Sequence, residues 1–155
     1  MKYLADELVG NQIDEVLGYG DLEDRSLKEK YPEITFMGYI PREKIPDVYK
    51  NGIYISLDVN AACPNTVIES LASGIPVVGF DTGALKELVS DNCGEVVDYG
   101  SDPWKLARPD NAALKSGIEK VIKNFNYYSK NARILAEEKY SLESLVEKYI
   151  EILEQ

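Results

Sequence analysis

The residues best suited to chemistry lie together in the run Pro64-Asn65-Thr66-Val67-Ile68-Glu69. Pro64 opens a helix, because at the first helical position the amide hydrogen it lacks would have no partner anyway. The amides of Asn65, Thr66 and Val67 then point out of the helix start, where unpartnered N–H groups and the helix dipole favour a phosphate. Glu69 follows Thr66 by three positions and Asn65 by four, so it shares their face. A carboxylate there can accept two hydrogen bonds from neighbouring hydroxyls, such as those of a ribose. Phosphate at the tip with a diol beside it describes a nucleoside diphosphate. A solvated Glu69 and an Asn65 that only caps its own helix would show the same spacing.

The surrounding elements must hold that tip in place. Ile53 to Leu57 is a short apolar run of the kind found in buried parallel strands. Val67, Ile68, Leu71 and Ala72 form the stripe that packs the helix on a sheet. Gly74 followed by Pro76 is the expected stop, and Pro76 to Phe80 is a second buried strand. Strand, crossover helix and strand in so few residues make a right-handed βαβ unit.

The run CPNTVIESLASGIPVVGFDTGALKELV resembles the signature of the C-terminal, donor-binding domain of family 4 retaining glycosyltransferases with the GT-B fold. That signature has two Glu separated by seven residues, then a helix, Gly-x-Pro-Val-Val and a Gly-Gly-x-x-Glu turn. Glu69 matches the second Glu, which in the family holds the ribose. Gly74-Ile75-Pro76-Val77-Val78 matches the strand entry. Gly83-Ala84-Leu85-Lys86-Glu87 matches the turn, with Ala84 for the second Gly, and places Gly83 and Glu87 near the sugar and phosphate. Eight positions before Glu69, where the family's first Glu contacts or assists the transferred sugar, stands Ala61. The resemblance therefore supports nucleotide binding more strongly than catalysis and leaves the catalytic residues unassigned. It also implies that no bound metal or other cofactor is needed.

Composition narrows the function classes. The 155 residues suit one domain, and 45% hydrophobic with 28% charged residues is ordinary for a globular protein. A net charge of -10 argues against nucleic-acid or anionic-membrane binding. There is no His, which removes imidazole acid–base chemistry and His metal ligation from the chain. Cys63 and Cys93 form no metal motif and suit a reducing, cytoplasmic setting. Cys63 falls in the loop before the helix tip and has no paired base in the sequence. The first seven residues carry no apolar signal core, and no apolar run is long enough to span a membrane.

In chain order, Lys2 to Val9 reads as a helix and Glu15 to Leu17 as a strand ending in Gly18-Tyr19-Gly20. Gly18 and Gly20 would let the backbone approach a ligand, although a tight turn explains them equally well. Leu22 to Tyr31 is a charged helix and Ile34 to Ile40 a strand with its exit. The resemblance makes Tyr39 and Ile40 candidates beside the nucleobase; as side chains, rim and core roles fit them as well. Pro46 opens a short helix through Tyr49. After Glu87 the helix runs to Val89, and Gly94 to Val97 is a strand. A loop holding Trp104 follows, and Asp110 caps a helix with the stripe Leu114, Ile118, Val121 and Ile122. Tyr128 to Tyr140 is another helix. Ser141 starts the last, whose Leu142, Leu145, Val146, Tyr149, Ile150 and Leu153 keep helical period. Both stripes are expected to be packing surfaces.

The expected fold is α/β, a Rossmann-like open parallel sheet flanked by helices in one domain over residues 1–155. The family's domain begins with a strand before its first helix, and the loop after that strand carries cations that grip the diphosphate. Both would be missing here, so the chain is expected to be a fragment of a two-domain enzyme that works with an acceptor-binding half or partner chain. It could also form a homo-oligomer through the open sheet. Two function classes follow: the donor half of a retaining sugar transferase, and a non-catalytic nucleotide-binding or interaction module on the same fold. A sugar-nucleotide epimerase would lean on His, and a flavodoxin-like carrier would need a phosphate loop after its first strand.

Overall fold

The computed structural model describes residues 16–19, 26–49, 52–90 and 92–154. The expected helix at Lys2–Val9 and the residue Gly20 lie outside them. The chain separates into two compact units, 1–48 and 49–155. In the first, strand β1 (Val16–Tyr19) lies parallel to β2 (Ile34–Gly38), with a register shift between Gly18 and Tyr19. Helix α1 (Leu27–Lys30) precedes β2. A 3-10 turn (Arg42–Lys44) leads into α2 (Ile45–Val48), one residue ahead of the expected opening at Pro46. Tyr31 and Ile34 form a small core against Val16 and Phe36.

The second unit is built on three parallel strands in the order β3 (Tyr54–Ser56), β4 (Val77–Phe80), β5 (Gly94–Val97). The central strand is buried along its whole length, as the unbroken apolar run of Val77 to Phe80 requires. Successive side chains alternate between faces. On one face Val77 joins Val67 and Leu71 of α3 (Asn65–Ala72), and Ala132 and Ala136 of α6 (Phe125–Lys139). On the other face α5 (Asn111–Lys123) comes so close at Gly117 that a Cβ there would lie 3.4 Å from Val78 and 3.2 Å from Val97. Asp110 caps α5 by accepting from the amides of Ala112 and Ala113, each at 3.0 Å. The short helix α4 (Leu85–Leu88) follows β4 and closes the same core with Leu85 and Leu88. Each fully buried Leu or Val contributes about 2 kcal/mol relative to exposure.

Two expectations about helices are corrected. Helix α6 begins at Phe125 and not Tyr128. Asn124 ends α5, donating its side-chain amide to the Lys120 carbonyl, and α6 starts directly from it. The stripe of the last helix, α7 (Leu142–Leu153), is not packed: Leu142, Leu145, Val146, Tyr149, Ile150 and Leu153 are all exposed. The helical period is present as expected, but periodicity reports a face and not what covers it. The last helix starts at Ser141 as expected, and Ser141 caps it by accepting from the Ser144 amide at 3.2 Å.

Gly94 sits where β5 presses on β4. A Cβ there would collide with the Val77 carbonyl oxygen, backbone that has nowhere to retreat. Gly94→Ala is expected to cost about 3 kcal/mol, read as a lower urea midpoint with an unchanged slope; a midpoint equal to the parent's would show that the strands can part.

Candidate functional site

The functional end of a parallel sheet is the one where its strands finish and its helices begin. Here the loop 57–64 leaves β3 and leads to α3, and the turn 81–84 leaves β4 and leads to α4. Pro64 is extended (φ -73°, ψ 108°) and precedes the first helical residue, one position off the expected register. Pro has no side-chain oxygen, so it cannot cap as Ser or Asp would. No side chain caps the α3 amino end. The Val67 amide, expected to be free, instead donates to the Pro64 carbonyl at 3.0 Å. The open amides are those of Asn65 and Thr66, whose side chains are exposed, while the Val67 side chain is fully buried.

The other end of α3 is the opposite. Ser129 on α6 donates to the Gly74 carbonyl at 2.7 Å, and the Arg133 guanidinium donates to the Ala72 carbonyl. Gly74 takes the left-handed conformation (φ 72°) that a helix stop needs. A cation at the carboxyl end and closed carbonyls complete the helix there. The amino end is left without a side-chain cap, and it follows the loop that leaves β3.

Glu69 lies one turn along, half-buried, and no described residue donates a hydrogen bond to its carboxylate. The first turn is gripped by two tyrosines that the sequence spacing did not single out. The Tyr54 hydroxyl donates to Thr66 Oγ1 at 2.9 Å, and the Tyr49 hydroxyl to the Thr66 carbonyl at 3.4 Å. Their rings meet edge-on with centroids 6.1 Å apart. Burial pushes the Tyr54 phenol pKa up, the Thr66 bond pulls it down, and the Asp58 and Glu69 carboxylates push it further up. Tyr54 is therefore protonated throughout the neutral range, and Glu69 lies within its electrostatic reach.

The two loops are tied together. Asn60 adopts a left-handed conformation (φ 59°), which Asn tolerates better than most residues. Buried Thr82 accepts from the Asn60 amide at 3.4 Å and donates to the Asp58 carbonyl at 3.5 Å. The Ala84 amide donates to the Ala61 carbonyl at 2.9 Å. Gly83 (φ 55°) lies flat on this loop, and a Cβ there would be 2.7 Å from the Ala61 nitrogen. Ala61 and Gly83, singled out separately in the sequence, are thus in backbone contact, and no carboxylate stands at 61. Glu87 is exposed on α4, its carbonyl held by Lys139 at 2.8 Å. Thr82 and Tyr54 carried no usable signal, since their partners lie 12 to 24 positions away.

The remaining candidates belong to the first unit. Gly18 lies within β1, where a Cβ would be 3.0 Å from the Phe36 ring. Gly38 turns the chain with φ 73°, after which Tyr39 is exposed and Ile40 half-buried.

The family whose description is "Glycosyl transferases group 1" matches residues 7–124. No curated protein matches the sequence. Among solved structures, sucrose-phosphate synthase from Thermosynechococcus elongatus is similar at TM-score 0.74 and 18% identity, over 99% of this chain and 40% of that one. A glycosyltransferase from Rickettsia africae gives 0.71 and 19%, over 97% and 41%. The Anabaena protein HepE, solved in complex with UDP and glucose, gives 0.67 and 18%, over 97% and 43%. At these identities the likeness is one of fold, an α/β Rossmann-like architecture. The chain spans about two fifths of the length of these structures.

The two thiols mark the rim and the core. Cys63 is exposed just before the α3 tip, whereas Cys93 is buried, with its thiol pKa pushed up by that burial. A disulfide reagent should titrate one thiol per native chain and the second only in denaturant; two fast thiols would show that the β5 entry is open.

Proposed function

From the premise that the chain belongs to the group 1 glycosyl transferases, we propose that it binds a nucleoside-diphosphate sugar as donor for retaining transfer of the sugar to an acceptor. The observation that carries this is the polarity of α3, whose carboxyl end is closed by Ser129 and Arg133 while its amino end is uncapped on the functional rim. The Asn65 and Thr66 amides would hold the diphosphate, with helix-dipole stabilisation of the negative charge that grows as the anomeric bond breaks. Glu69 would accept the two ribose hydroxyls. Gly83 and Glu87 would lie toward the sugar and phosphate. No metal is required in this scheme, and the acceptor would be held outside these 155 residues, by a further domain or a partner chain. HepE, whose structure contains UDP and glucose, supports a donor of this class. No helix among the described residues is long and apolar enough to cross a membrane. A cytoplasmic setting is part of the proposal and rests on the two free thiols, which suit a reducing compartment.

One feature favours a second reading, a nucleotide-binding module without transferase activity. Ala61 offers no carboxylate where the resembling family has one, so nothing at that position can assist the transferred sugar. Transfer activity on joining the chain to an acceptor-binding half would reject this alternative.

Donor binding is tested by calorimetry and thermal shift with UDP, GDP and ADP and their sugars, since a ligand of the native state alone raises the melting temperature. At least one should bind and should also slow modification of Cys63. Glu69→Gln is expected to weaken that nucleotide about tenfold, the scale of one charge-assisted hydrogen bond, with little change in melting temperature without ligand. Parent-like affinity in this variant would remove Glu69 from the ribose.

A further inference from the structure

We propose that Tyr54 is a positioning residue for diphosphate binding: by donating to Thr66 it turns the Thr66 hydroxyl proton outward, adding a side-chain donor to the open amides at the α3 tip. This presupposes the donor-binding function proposed above. A threonine hydroxyl has one proton and two lone pairs. The Tyr54 hydroxyl donates to Thr66 Oγ1 at 2.9 Å, so one lone pair is taken and the Thr66 proton must point elsewhere. Among the described residues nothing accepts it, and Thr66 is exposed.

The direction of that bond follows from chemistry. A phenol is a better donor than an alkyl alcohol, and an alkyl alcohol is the better acceptor. Burial, joined by the Asp58 and Glu69 carboxylates, disfavours a phenolate and outweighs the opposing pull of the Thr66 bond, so the Tyr54 proton stays in place. The assembly is also held still. The Tyr49 hydroxyl reaches the Thr66 carbonyl, and the Tyr49 ring meets the Tyr54 ring edge-on. Thr itself is stiff about its first side-chain torsion. A donor fixed before the ligand arrives needs little reorganisation when it meets a phosphate oxygen, and each hydrogen bond in a chain polarises the next.

The test compares Tyr54→Phe, which keeps the ring contact, with Thr66→Val, Thr66→Ser and the double variant Tyr54→Phe/Thr66→Val. Each is titrated with UDP, GDP and ADP and with uridine, guanosine and adenosine. Tyr54→Phe should weaken the diphosphate that the parent binds by roughly five- to tenfold and leave its nucleoside unchanged. Thr66→Val should lose at least as much, Thr66→Ser should stay close to the parent, and the double variant should be no weaker than Thr66→Val. Parent-like diphosphate binding by Tyr54→Phe, equal losses for nucleoside and diphosphate, or additive losses in the double variant would each overturn the role of Tyr54 alone. A parent chain that binds none of the three diphosphates would overturn the donor-binding function itself, and this inference with it.

Discussion

The unequal treatment of the two ends of helix α3 is the constraint on which the rest turns. Every helix leaves amides unpaired at one end and carbonyls at the other, and folding normally satisfies both. Here α6 crosses the carboxyl end and closes it with Ser129 and Arg133. The amino end begins at a proline that cannot cap. The buried side of the same helix, Val67 and Leu71 against Val77 and Ala132, fixes where that end points. The core of the second unit thus aims one bare helix terminus at the rim where parallel strands finish.

Much of this was legible in the sequence, for reasons that differ by element. The stretch Pro64 to Val97 is dense in punctuation: Pro64, Gly74, Pro76, Gly83 and Gly94 each mark a boundary, and the observed elements fall within a residue or two of the expected ones. The family resemblance, carried by the same stretch, agrees with the family match. Misreadings came where identity does not determine geometry. The Val67 amide folds back on Pro64 because a first turn can tighten to an i→i+3 bond at no cost visible in the sequence. Helix α6 starts early because Asn124 serves two helices at once. Thr82 was invisible because its partners, Asp58 and Asn60, lie on a loop that only tertiary structure brings near.

The exposed stripe of α7 belongs with a second observation, that the chain spans about two fifths of the structures it resembles. Acidic residues Glu143, Glu147, Glu151 and Glu154 accompany that stripe. The net charge of -10 on the whole chain opposes self-association through such a bare apolar side. An amphipathic helix without a packed face draws little stability from tertiary contacts, so α7 should be among the first elements to fray.

The bonding of the β3 and β4 loops through Asn60, Ala61, Thr82 and Ala84 has its own thermodynamic consequence. Two segments joined by a backbone hydrogen bond and by both bonds of a buried hydroxyl cannot wander independently. A ligand settling on them would meet loops already tied to each other and would forfeit little chain freedom on arrival.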